Sequence, residues 1–187
     1  MRVLGISGSL RRDSLNSALL RAAAERLPAG AELVEFDRLR EVPPYDEDVD
    51  AAATPAVVED LREAVRGADA VLIATPEYNH SIPGQLKNAL DWVSRPAGKS
   101  ALNGTPAAAI GASTGMFGAV WAQAELRKVL GAMGGRVIEE ELPVGHAKEL
   151  MVGDRLELSP EQSHQLEELL AELIAQAEIE SELAVAA

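Results

Sequence analysis

Between an apolar run that ends at Ser7 and a helical pattern that begins near Leu15, the chain reads Gly8-Ser9-Leu10-Arg11-Arg12-Asp13-Ser14-Leu15-Asn16-Ser17. A phosphate cradle needs a small residue for close backbone approach, N–H groups at a helix start, hydroxyl or amide donors, and a cation. This loop supplies each: Gly8 for approach, Ser9, Ser14, Asn16 and Ser17 as donors, Arg11 or Arg12 as the charge, and the dipole of the following helix. No Gly-Lys-Ser/Thr follows, so the loop is not a P-loop, and Gly5 and Gly8 do not make a Gly-x-Gly-x-x-Gly dinucleotide turn. Several hydroxyls suit a terminal phosphate monoester, with three oxygens to satisfy, better than a bridging pyrophosphate. The competing use of such a loop is a solvated helix cap.

Two further loops carry chemistry of the same kind. Pro76-Glu77-Tyr78-Asn79-His80-Ser81-Ile82-Pro83 follows the most apolar stretch of the chain, and Tyr78 at its tip can lie against a planar ring or cover the rim of the core. Gly111-Ala112-Ser113-Thr114-Gly115-Met116-Phe117-Gly118 again offers small residues and N–H donors before a helix. Convergence of the three would make a site for a planar group bearing a phosphate. Glu77 could shuttle protons, but His80, His146 and His164 have neither metal-ligand spacing nor a serine partner in a Gly-x-Ser-x-Gly elbow. An acidic phospho-receiver site is excluded because the first strand ends in Ser7 rather than in an acidic pair.

The elements that must position these loops alternate. Strands are predicted at 2–7, 31–36, 70–74, 106–112 and 136–138. Helical spacing recurs over Leu15, Leu19, Leu20, Ala23 and Leu27, from about Pro55 to Arg66, after Pro83, from Phe117 to about Leu130, and over about 160–180. Ser159 and Gln162 have the form of a capping box. Five β-then-α units without a linker predict one α/β domain over residues 1–187. The expected architecture is a flavodoxin-like three-layer sandwich around a five-stranded parallel sheet of order 2-1-3-4-5. Ligands of such sheets sit beyond the carboxyl ends of the strands, between the first and third, where the three loops fall.

Composition narrows the classes. The chain has 187 residues, 17 Lys+Arg against 30 Asp+Glu, a formal charge of −13 and no cysteine. Disulfide scaffolds, thiolate metal sites and thiol nucleophiles are thereby excluded. A nonspecific grip on nucleic acid or an anionic membrane is not expected, because each needs a basic surface. The acidity is concentrated: residues 139–187 hold two bases and thirteen acids, whereas residues 1–40 hold seven Arg and five acids. The proposed phosphate loop therefore lies in the segment least hostile to an anion. No secretory core follows Met1-Arg2, and a cytoplasmic location is expected.

Gly8-Ser9-Leu10-Arg11-Arg12-Asp13-Ser14-Leu15-Asn16, with Pro76-Glu77-Tyr78-Asn79-His80-Ser81-Ile82-Pro83-Gly84 running into Leu86-Lys87-Asn88-Ala89-Leu90-Asp91-Trp92, resembles the signatures of the NADPH-dependent FMN reductase family, which includes chromate, quinone and azo-dye reductases. The similarity extends to about Pro143, and the tail beyond Ser159 matches only as a final helix. The resemblance implies FMN as cofactor and NADPH or NADH as co-substrate. Ser9, Arg11, Ser14 and Asn16 would hold the phosphate. Pro76, Glu77, Tyr78 and Asn79 would line the isoalloxazine, and Ser113, Thr114 and Gly115 would close its other side. It further implies a small-molecule electron acceptor and a homodimer or homotetramer, with Lys87, Asp91, Trp92 and Arg95 as interface candidates. A flavodoxin-like electron carrier reduced by a protein partner, and a flavin-free nucleotide-binding module, are the competing readings.

Overall fold

The computed structural model describes residues 1–186, with side-chain surroundings through residue 179. Three strands of apolar and small residues, apart from the exposed Arg2 at the start of the first, form the centre of a parallel sheet: β1 (Arg2–Ser7), β3 (Ala70–Ala74) and β4 (Pro106–Ala112). Each is buried on both faces, which is why each reads as a continuous rather than alternating apolar run. With β2 (Glu32–Glu35) and β5 (Arg136–Val137) the order is β2-β1-β3-β4-β5, as predicted.

Helices cover both faces. On one side α1 (Leu15–Ala24) and α6 (Pro160–Ala186) bury Leu19, Leu20, Leu166, Leu170 and Leu173 against Leu72, Ile110 and Leu142. On the other side α3 (Ala56–Arg66), α4 (Gly84–Val93) and α5 (Val120–Ala132) bury Val58, Leu61, Leu86, Trp92, Leu126 and Leu130 against Leu4, Val71 and Ile73. Ser159 and Gln162 close the reciprocal capping box at the start of α6, with bonds of 3.1 and 3.0 Å. No described helix is long and apolar enough to cross a membrane.

The sequence reading needs four corrections. The edge beside β4 is not one strand: β5 pairs only with Pro106 and Ala107, and a separate β6 (Leu142–Val144) takes over beside Ile110, Gly111 and Ala112. The long connection after β2 holds a helix, α2 (Glu47–Ala53), opened by the Asp46 carboxylate accepting from the Asp48 N–H at 2.9 Å. A short antiparallel hairpin of β7 (Met151–Val152) and β8 (Arg155–Leu156) precedes α6. Helix α5 also starts three residues later than its apolar pattern, because Gly118 and Ala119 both take left-handed backbone (φ 56° and 63°).

Candidate functional site

The carboxyl ends of β1, β3 and β4 are held together by backbone. Gly8 N–H donates to the Ala74 carbonyl at 2.8 Å, and Thr75 N–H donates to the Ile110 carbonyl at 2.9 Å. At this end one cleft is lined by Ser9, Arg11, Ser14, Leu15, Asn16, Pro76, Glu77, Tyr78, Ala112, Ser113 and Thr114. Nine of the eleven residues singled out in the sequence thus face one space; Asn79 and Gly115 flank it.

The first loop gathers hydrogen-bonding groups at the start of α1. Ser14 is the N-cap of α1, and its Oγ accepts from the N–H groups of Asn16 and Ser17 at 3.2 and 3.1 Å. Ser9 Oγ accepts from Arg11 N–H at 3.4 Å. In both, accepting leaves the hydroxyl proton to donate outward. Arg11 is exposed and forms no ion pair among the described residues. Ser17 instead turns inward and donates to Ser7 Oγ at 3.0 Å. Gly8 is pressed against the neighbouring elements: a Cβ there would stand 2.9 Å from Leu86 Cδ2 and 3.3 Å from Pro76 Cδ.

Asn16 has a task that its spacing did not reveal. Its side chain is buried; Nδ2 donates to the Ala112 carbonyl at 3.0 Å and Oδ1 accepts from the Ala112 N–H at 2.9 Å. It thereby pins the start of α1 to the end of β4, leaving one Nδ2 hydrogen for a ligand. Asn16→Ala leaves both Ala112 groups without partners and is expected to lower stability by about 2 kcal/mol in urea denaturation. A variant as stable as the parent would show that the clamp contributes nothing.

The second loop is a two-residue hairpin. Tyr78 and Ser81 exchange backbone bonds of 3.0 and 3.1 Å, and Asn79 and His80 between them have φ of 55° and 60°. Tyr78 is left half-exposed at the tip. Glu77 is not a free proton carrier at the cleft: its Oε2 accepts from the N–H groups of Trp121 and Ala122, at 3.1 and 3.2 Å. The carboxylate caps α5, whose own N-cap position is Ala119 and has no side-chain acceptor. One side chain therefore locks the second loop to the third.

The third loop rests on β6 and the turn after it. Ser113 N–H donates to Val144, Ala147 N–H to Ser113 and His146 N–H to Gly115, all at 2.9 to 3.0 Å. Gln123, fully buried, donates to the Gly118 carbonyl and accepts from the Leu142 N–H, both at 3.0 Å. Sequence reasoning missed Gln123; a lone polar residue at an apolar-face position of α5 was the available signal.

This geometry meets independent similarity. The sequence pattern described as NADPH-dependent FMN reductase matches residues 1–149. A NAD(P)H-dependent FMN reductase of Pseudomonas aeruginosa is 51% identical over 130 residues, which is 70% of this chain and 69% of that protein. The chain belongs to the NADPH-dependent FMN reductase family. A 2-hydroxy-1,4-benzoquinone reductase of a Burkholderia species is 43% identical over 129 residues, covering 69% of each chain. Among solved structures, the flavoenzyme NAD(P)H:(acceptor) oxidoreductase FerB of Paracoccus denitrificans aligns with a TM-score of 0.82 at 33% identity, over 95% of this chain and 97% of its own.

One expectation attached to the FMN reductase resemblance fails. Trp92 is fully buried, with its ring edge-on to Tyr45 at 5.0 Å and its Nε1 donating to the Pro43 carbonyl at 2.8 Å. It belongs to the core and cannot face a second subunit. Lys87 and Asp91 do lie at the surface, paired with each other at 2.6 Å.

Proposed function

We propose that this member of the family is an FMN-dependent NAD(P)H oxidoreductase that passes reducing equivalents through bound FMN to a small-molecule acceptor of the quinone type. The observation that carries this reading is the convergence of Ser9, Arg11 and Ser14 with Tyr78 and Thr114 on one cleft at the strand ends. The donor set fits FMN. Two hydroxyls with protons to give, an unpaired guanidinium and a helix N-terminus are the groups a dianionic phosphate monoester requires. When bound, FMN supplies the redox chemistry between the reduced nicotinamide and the acceptor.

The chain supplies binding and electrostatics. Ser9, Ser14 and Arg11 hold the phosphate, and Asn16 keeps α1 and β4 in register beneath it. Pro76, Glu77, Tyr78 and Asn79 line one side of the ring system, and Ser113, Thr114 and Gly115 the other. Loop N–H groups there favour negative charge on the ring, as donors fixed before reaction do at any developing anion. Azo compounds, free flavin and metal oxyanions are the other acceptor classes in this reading, and a homodimer or homotetramer in the cytoplasm is its assembly.

Arg11→Ala is expected to weaken FMN binding by about 1.5–3 kcal/mol, the range for a lost charge-assisted bond. Titration of the apoprotein with FMN, followed by flavin fluorescence, checks it; an unchanged Kd removes Arg11 from the phosphate site. The whole reading is tested by adding NADPH or NADH to the FMN-loaded protein without air. Bleaching within seconds is expected. Failure of both nucleotides to bleach it would favour the flavodoxin-like carrier.

A further inference from the structure

A second cleft, of about 600 Å³, opens beside the phosphate loop. It shares Arg11, Ser14 and Thr114 with the first cleft, and is also lined by Arg12, Arg21, Lys148 and the turn of the β7–β8 hairpin at Gly153-Asp154. The size is that of a site for a nucleotide-sized ligand. The hairpin is fixed in place from α1: Arg21 Nη2 donates to the Asp154 carbonyl at 2.9 Å, and Arg155 pairs with Glu25 at 2.8 Å.

The charge here runs against the rest of the chain. With 30 acids for 17 bases the chain is strongly acidic; Arg38, Arg62, Lys87, Arg127 and Arg155 are in ion pairs, while cations such as Arg66, Lys99 and Lys128 form none among the described residues, so what sets this cleft apart is the convergence of its cations. Arg11, Arg12 and Lys148 converge on this cleft and form no ion pair among the described residues. Lys148 is one of only two bases in residues 139–187. Asp13 and Asp154 also line the cleft, so four cations face two carboxylates. If Arg11 serves the FMN phosphate, the excess left for a second anion rests on Arg12, Arg21 and Lys148, of which Arg21 is already anchoring the hairpin.

We propose that this cleft receives the 2′-phosphate end of NADPH, with Arg12 and Lys148 as the groups that recognise it. This rests on the FMN reductase reading. A donor whose nicotinamide lies at the redox site near Thr114 must place its adenosine end in space continuous with that residue, and this cleft is such a space. NADPH differs from NADH by one phosphomonoester, an anion that ammonium and guanidinium groups bind as a point charge and as a fork respectively.

The test uses FMN-saturated protein with 1,4-benzoquinone as acceptor, and reads kcat/KM for NADPH and for NADH in the parent and in Lys148→Ala, Lys148→Glu and Lys148→Arg. The NADPH-to-NADH ratio should fall about tenfold in Lys148→Ala, the lower end for a lost charge-assisted contact, and further in Lys148→Glu. The change should sit in KM rather than kcat, and Lys148→Arg should restore the ratio. Calorimetric titration should find 2′,5′-ADP binding the parent more tightly than 5′-AMP, with that margin lost in Lys148→Glu. A ratio unmoved in Lys148→Glu, a parallel fall with both nucleotides, equal binding of the two adenosine phosphates, or loss of FMN from the Lys148 variants would each overturn the assignment. A parent that neither nucleotide reduces would instead remove the FMN reductase reading itself.

Discussion

Gly118→Ala is expected to destabilise the protein by about 3 kcal/mol, through two penalties at one position. Gly118 has φ of 56°, and a β-carbon in left-handed backbone costs about 1–2 kcal/mol. That carbon would also stand 2.3 Å from the Pro143 carbonyl carbon and 2.5 Å from the Val144 nitrogen, both backbone atoms of β6. A backbone cannot rotate out of the way as a side chain can, so the loop and the strand must separate, at about 1–3 kcal/mol for overpacking. Separation would strain the Gln123 bonds to the Gly118 carbonyl and the Leu142 N–H and move Ser113 and Thr114 away from the cleft. Urea unfolding should show the lost stability, and FMN affinity should fall with it. Gly115→Ala is the control, because its nearest neighbour would be Ser113 Oγ at 3.9 Å. A Gly118→Ala midpoint equal to that of Gly115→Ala would mean that the loop does not rest on β6 as described.

The same contact explains what the sequence could and could not disclose. Strands β1, β3 and β4 have the predicted bounds, since a strand buried on both faces announces itself as an apolar run. The donor-rich loop from Gly8 to Ser17 was legible as a strand-to-helix turn at the cleft because its residue types are local. Strand β6 was not, since Leu142-Pro143-Val144 is three residues long, carries a proline, and becomes a strand only beside Ile110 and Ala112. Glu77, Asn16 and Gln123 have partners 44, 96 and 19 residues away. Polar residues that tie distant backbone segments have no periodicity to betray them. The site is therefore readable in the groups that would touch a ligand and silent in the groups that hold those groups still.

Arg62→Ala should cost about 3–5 kcal/mol, the range for breaking a buried ion pair by removing one partner. Arg62 is almost wholly buried, yet every face of its guanidinium is used. Nε and Nη2 donate to the Trp92 carbonyl at 3.1 and 3.0 Å, Nη1 reaches Glu59 at 2.8 Å, and both terminal nitrogens reach Asp50 at 3.1 and 2.9 Å. Asp50 belongs to α2, which buries no residue of its own, so this pair is what fastens that helix to α3 and α4. The rest of the segment is strapped to α4 by Gln85 on the Leu39 and Val42 carbonyls and by Asn88 and Trp92 on Pro43, all at 2.8 Å. Since α4 begins directly after the Tyr78 hairpin, the strap also fixes the second loop of the site. The hydrogen bond from Arg62 holds the Asp50 carboxyl below its ordinary value, against the opposing effect of burial. A carboxyl depressed in the folded state stabilises above its unfolded value of about 3.9, and that contribution is lost as pH falls through the folded value. Asp50→Asn should therefore be clearly less stable than the parent at pH 7, with the gap closing as the pH is lowered below about 4. If the gap between parent and Asp50→Asn is the same at pH 3 as at pH 7, the pairing of charge contributes nothing beyond packing, and the strap is held by its neutral hydrogen bonds alone.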